Sequence, residues 1–135
     1  MALLEWSSKF CIGIAALDDE HRKLCQAVNE LHAALEGGKE RSVTGPLLRR
    51  LADDTRAHFS SEEVMMTASK YPGLMLHAMK HQYLLAQMHA FQARYSRDDS
   101  SMNSHSLVFL RDWVATHIQS DDLNFGLWLN EHGKR

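Results

Sequence analysis

Leu74-Met75-Leu76-His77-Ala78-Met79-Lys80-His81-Gln82-Tyr83-Leu84-Leu85 sets two imidazoles four residues apart on the same line as Leu74, Leu84 and Leu85. Residues four apart on a helix differ by about 40° and rise about 6 Å, so His77 and His81 can reach one ion. The apolar line continues through Met88 and Phe91, giving a helix from Leu74 to about Tyr95 that begins after the break Tyr71-Pro72-Gly73.

Three further segments carry the same kind of group. His21 lies on the stripe Leu17, Leu24/Cys25, Val28, Leu31/His32, Leu35, which predicts a helix over 18–36, with Asp18 or Asp19 near its cap and Gly37-Gly38 at its end. His58-x-x-x-Glu62 lies on Leu48, Leu51, Thr55, Phe59, Met65/Met66, in a helix beginning between Ser42 and Pro46, since proline is tolerated in a first turn. His117 closes the line Leu107, Leu110, Val114 of a helix over about 103–118. Asp122 follows five residues later, roughly 140° away in a continuous helix, so if both are ligands the helix must end or bulge between them; Ser120 and Asp121 suit a cap.

Four amphipathic helices with short connections predict an all-α, up-down-up-down antiparallel four-helix bundle. The 135 residues suffice for a single domain, divided into an extended arm over 1–17, the bundle over 18–119 and a tail over 120–135 that forms a short amphipathic helix closing the bundle end. Gly126 reads as one more break, and Met65, Met66, Met79 and Met88 as core filling.

A formal net charge of −2, with both signs interspersed, offers no basic stripe for nucleic acid and no polybasic run for a membrane surface. No apolar run approaches spanning length, so no membrane insertion is expected. Cys11 and Cys25 are too few for a disulfide scaffold and fit a cytoplasmic protein, with Cys25 read as a small core residue.

A lone HxxxH is weak: nine histidines in 135 residues give about 0.6 chance occurrences. Joint placement is stronger. Burying Glu62 and Asp122 without counter-charge costs several kcal/mol each. Five imidazoles and two carboxylates converging in a helical core make a site for two metal ions, and a mononuclear zinc site would leave the set half used. Imidazole together with bridging carboxylates favours iron, with zinc and manganese open. His32 lies too far along its helix to join, and His89, His105 and His132 read as solvated or structural.

Over its whole length the chain resembles the hemerythrin family, specifically single-domain bacteriohemerythrins. The matching text is Trp6, Phe10, Ile12-Gly13-Ile14, Leu17-Asp18-Asp19-Glu20-His21, Leu24, Asn29, His58-Phe59-Ser60-Ser61-Glu62-Glu63, Met66, Tyr71-Pro72, His77-x-x-x-His81, Trp113 and His117-Ile118-x-x-x-Asp122. Myohemerythrin is itself a familiar example of this bundle, so agreement on topology adds nothing independent. The resemblance implies two non-haem iron ions with an oxo or hydroxo bridge, binding O2 reversibly. It implies that His77, His81 and His117 hold a saturated iron, that His21 and His58 hold the iron with the open position, and that Glu62 and Asp122 bridge. Leu24, Phe59, Trp113 and Ile118, within a turn of these ligands, would form the water-excluding O2 pocket. The expected role is oxygen carriage, storage or delivery to an oxygen-consuming enzyme, without catalysis. Alternatives are O2 sensing through a separate partner, a di-iron peroxidase or nitric oxide scavenger, and iron storage. The chain lacks the Glu-x-x-His pairs of ferritin-like oxygenases.

Overall fold

The computed structural model describes residues 3–97 and 107–132. The start of the fourth helix expected near Asn103, and His105, lie outside the described residues. The described elements are a 3-10 turn Ser8–Phe10 and the helices α1 (Ala15–Glu36), α2 (Arg41–Ser69), α3 (Leu74–Ser96), α4 (Val108–His117) and α5 (Leu123–Glu131), with a π-helical turn Ile118–Asp122 joining the last two. Backbone angles stay right-handed helical through 117, 118, 122 and 123, so α4, the π turn and α5 form one rod. The result is the all-helical four-helix bundle that the periodicity predicts, with α1 packed along α2 and α2 along α3. No helix among the described residues is long and apolar enough to cross a membrane.

The inward stripes supply the core. Leu17, Val28, Leu31, Leu51, Met66, Leu84, Leu107, Phe125 and Leu129 are all essentially inaccessible to solvent. Two of the four methionines read as core, Met66 and Met88, are buried, and Met65 is partly buried against the same core. Met79 is instead 63% exposed, on a face of α3 shared with Met75, Leu76 and Tyr83.

Three boundaries differ from expectation for physical reasons. α1 begins at Ala15, so Asp18 is in the first turn and uses its carboxylate to accept the Ile12 N–H at 2.7 Å, which ties the arm to the helix. α2 begins at Arg41 and places Pro46 in its second turn. The carbonyl left without a partner there belongs to exposed Ser42, which water can satisfy. The first turn of α2 is held down by the Tyr95 ring, which lies 4.1 Å from the Arg41 guanidinium and whose hydroxyl bonds Thr44.

The third concerns Gly126, which interrupts nothing and sits inside α5. A Cβ built on it would lie 2.1 Å from the Ile12 carbonyl oxygen, so only glycine lets the arm cross this close. The tail therefore continues the bundle. Phe125 and Leu129 enter the core, and the Tyr71 ring lies 4.9 Å from Phe125 and 5.2 Å from Trp128. At the other end of the arm, Asn29 accepts the Leu4 N–H and donates to the Leu4 carbonyl, both at 2.8 Å.

Candidate metal centre

Each helix delivers its polar groups to one level of the bundle: His21 from α1, His58 and Glu62 from α2, His77 and His81 from α3, His117 from α4. The π turn settles the fifth-residue problem. A turn closed by i→i+5 bonds brings residue i+5 back over residue i, so Asp122 shares the inward face with His117 without the helix ending. Ser120 does not cap; its hydroxyl donates to the Thr116 carbonyl at 2.6 Å.

The structure brings all seven residues together. One group of donor atoms comes from Glu62, His77, His81, His117 and Asp122, a second from His21, His58, Glu62 and Asp122, with every pair inside a group within 4.8 Å. His77 Nε2 lies 2.6 Å from Glu62 Oε1 and 2.9 Å from Asp122 Oδ1, and His21 Nε2 lies 3.0 Å from Asp122 Oδ2. His21, Glu62, His81 and Asp122 are fully buried, and His58, His77 and His117 nearly so.

Closeness here is not hydrogen bonding throughout. Both ring nitrogens of His21, His58 Nε2, Glu62 Oε2 and both Asp122 oxygens are buried with no hydrogen-bond partner. His81 Nε2 and His117 Nε2 face each other at 3.1 Å. With Nδ1 of each turned to an outer carboxylate, both inner nitrogens point into the same space, beside Glu62 and Asp122. Unpaired buried donors of this kind are costly on their own and are what a cation would satisfy, so the residues fit a metal pair.

The electrostatics agree. Burial alone would raise Glu62, yet pairing with His21, His58, His77 and His81 holds its carboxyl well below the usual range. Burial pulls His58 down, but pairing with Glu20 and Glu62 overcomes it and lifts the ring to about 10. His77 rises to about 9 against burial, through Asp122 and Glu62. Asp122 is pushed up by burial and by the Glu62 charge, and held low by His117, His21 and His77. In the metal-free chain the cluster balances its carboxylates with protons, which an incoming cation displaces.

A second layer of carboxylates was not found from the sequence. His58 Nδ1 donates to Glu20 at 2.6 Å, His81 Nδ1 to Glu63 at 2.7 Å and His117 Nδ1 to Asp121 at 3.0 Å. Such partners fix the ring's tautomer and raise the basicity of its inner nitrogen. The signal was present: each of these acids is the immediate neighbour of a proposed ligand, at 20/21, 62/63 and 121/122.

Leu24, Phe59, Trp113 and Ile118 line a small cavity of about 10 Å³ that touches His58, His117 and Asp122. Thr55, Leu84 and Val114 complete its wall, residues the sequence reading did not include. Phe59 stacks on His81 at 3.8 Å and Trp113 on His117 at 4.5 Å. Outside Trp113 lies a groove of about 640 Å³ walled by Leu76, Met79, Tyr83 and Phe109. The remaining described histidines stand apart: His32 by Glu36, His89 by Arg56 and His132 stacked on Trp128. Cys25 is buried, which pushes its thiol up to about 11, while Cys11 is exposed.

Residues 12–129 match the family described as the hemerythrin HHE cation binding domain. The chain belongs to the hemerythrin family. It is 31% identical to a bacteriohemerythrin of Methylococcus capsulatus over 93% of this chain and 96% of that one. It is 28% identical to myohemerythrin-1 of Phascolopsis gouldii over 89% of each. A crystal structure of wild-type hemerythrin superposes with a TM-score of 0.87 at 30% identity, covering 93% of this chain and 96% of that one. Hemerythrin membership and the double donor group together describe a cation-binding four-helix bundle.

Proposed function

We propose that this chain binds O2 reversibly at a non-haem di-iron centre, for oxygen carriage, storage or delivery to an oxygen-using partner. The observation that carries the reading is that Glu62 and Asp122 belong to both donor groups. Two carboxylates shared between two groups are what a pair of bridged ions requires, and a single ion does not need them.

His77, His81 and His117 would hold one iron, His21 and His58 the other, with Glu62 and Asp122 bridging. The second group has one imidazole fewer, so a small ligand would enter there. The apolar cavity against His58 supports this, since about 10 Å³ is roughly the space of one water-sized molecule. Bound iron would supply the electrons and the coordination position for oxygen. Leu24, Phe59, Trp113 and Ile118 exclude water and stray protons from that space. Glu20, Glu63 and Asp121 keep the outer nitrogens of three rings protonated and their inner nitrogens free to donate. Two free thiols suit a reducing compartment such as the cytoplasm.

Iron analysis combined with an optical spectrum under nitrogen, then air, then nitrogen tests the reading. Two irons per chain, colour developing in air and bleaching under nitrogen are expected. Irreversible consumption of O2 would overturn the carrier and favour an enzyme.

A further inference from the structure

Three rings of the cluster donate their outer N–H to carboxylates, and the three carboxylates differ in what stands behind them. Glu20 also accepts the neutral hydroxyl of Ser61 at 3.1 Å. Glu63 accepts His81. Asp121 accepts His117 through Oδ2, while its other oxygen, Oδ1, accepts the Lys80 ammonium at 2.7 Å. Among the described residues, Lys80 is the cation that pairs with one of these three acids.

We propose that Lys80 is a positioning residue for the metal centre, setting through Asp121 how strongly His117 donates to its ion. The inference rests on the di-iron reading above. A carboxylate on the outer N–H of an imidazole draws that proton toward itself and makes the inner nitrogen a stronger donor. An ammonium bonded to the same carboxylate takes up part of its charge and weakens that pull. Among the described residues the acids behind His58 and His81 are ion-paired with those rings alone, whereas the acid behind His117 is partly neutralised by Lys80.

Geometry gives the connection its stiffness. Asp121 is held at both oxygens, from α3 and from its own helix. Lys80 immediately precedes His81, so its stem links the helix carrying His77 and His81 to the turn carrying Asp122. The pair stands at the edge of the outer groove, whose wall includes Trp113 stacked on His117. The Lys80 side chain is 42% exposed, and an ion pair that accessible adds little to fold stability. A merely structural Lys80 would thus leave the metal's properties alone.

The test compares Lys80→Met, Lys80→Arg, Asp121→Asn and the Lys80→Met/Asp121→Asn double variant in the full chain. In the iron-loaded proteins the midpoint potential of the centre is measured. Lys80→Met should lower it, because strengthening the pull of Asp121 and deleting a positive charge act in the same direction. Lys80→Arg should stay near the parent, and Asp121→Asn should raise it. In the Asp121→Asn background most of the Lys80→Met shift should vanish. In the metal-free proteins, nitrogen-15 NMR should show the His117 ring responding to Lys80→Met more than the His58 ring. Unmoved potential and ring signals in Lys80→Met, or a shift that persists undiminished without Asp121, would overturn the proposal. If the parent chain holds no iron, the di-iron reading fails by itself. The metal-free ring signals then still decide whether Lys80 acts on His117.

Discussion

α2 and the rod formed by α4 and α5 perform the same task with different backbones. Each carries an imidazole, a carboxylate aimed at the centre and a neighbouring carboxylate aimed at the outer side of a ring. In α2 the helix is regular, His58 and Glu62 are four apart, and Glu63, about 100° further round, reaches His81 on the next helix. In the second rod the order is reversed: Asp121, four after His117, takes that ring's own Nδ1–H, and Asp122, five after it, turns inward. Only the π turn makes the fifth position inward. One inserted residue thus lets a single helix supply both a ligand and the acid behind that ligand, where α2 must lend its outer acid to a neighbour.

The sharpest way to break the comparison is to remove either inward acid. Glu62→Ala and Asp122→Ala should each empty both metal positions, since each acid serves both donor groups; iron per chain after purification checks this. Loss of one ion from one variant and two from the other would mean that the two helices are not equivalent.

The outer acids should matter less. Glu63→Ala and Asp121→Ala are each expected to weaken metal retention by about 10–100-fold, read by competition with a chelator. Equal effects would show that it makes no difference whether the outer acid comes from the ring's own helix or from the next one.

A third comparison sets α1 against the π turn at the cavity wall. Leu24→Ser and Ile118→Ser should both shorten the life of the oxygenated state by admitting water, followed as decay of its spectrum in air. An unchanged decay in both would show that these side chains do not guard the centre.

The smallest effect belongs to the regular helix α1 and should leave the centre intact. Cys25, one turn beyond His21 and buried, has its thiol raised to about 11 and should resist alkylation near neutral pH, while exposed Cys11 reacts. Mass analysis should find a single fast adduct on the native chain and a second only in denaturant.

The contrast between the two helices also explains what could be read from the sequence. In α2 and α3 the ligands fall at the helical period, so His58, Glu62, His77 and His81 stand out on apolar stripes. At Asp122 periodicity failed, and only the chemistry of burying a carboxylate argued for a bulge, without its form. Glu20, Glu63 and Asp121 were hidden because each lies on a flank where an acid normally meets water. What gives them partners is a ring that projects from another helix or, for Asp121, from its own. Gly126 looked like an interruption because a sequence does not reveal that another strand of backbone passes within contact of it. Met79 looked like core because its spacing matches the stripe's edge, and only the packed helices show that nothing covers that side of α3 among the described residues.

Because Asp122 belongs to both donor groups, neither group is complete until the segment carrying the π turn has been made. During synthesis the first helices emerge with His21, His58 and Glu62 and must wait for the rest. A product stopping anywhere before the π turn would leave its histidines without a finished cage. Metal retention would then mark a polypeptide that has been made through its π turn.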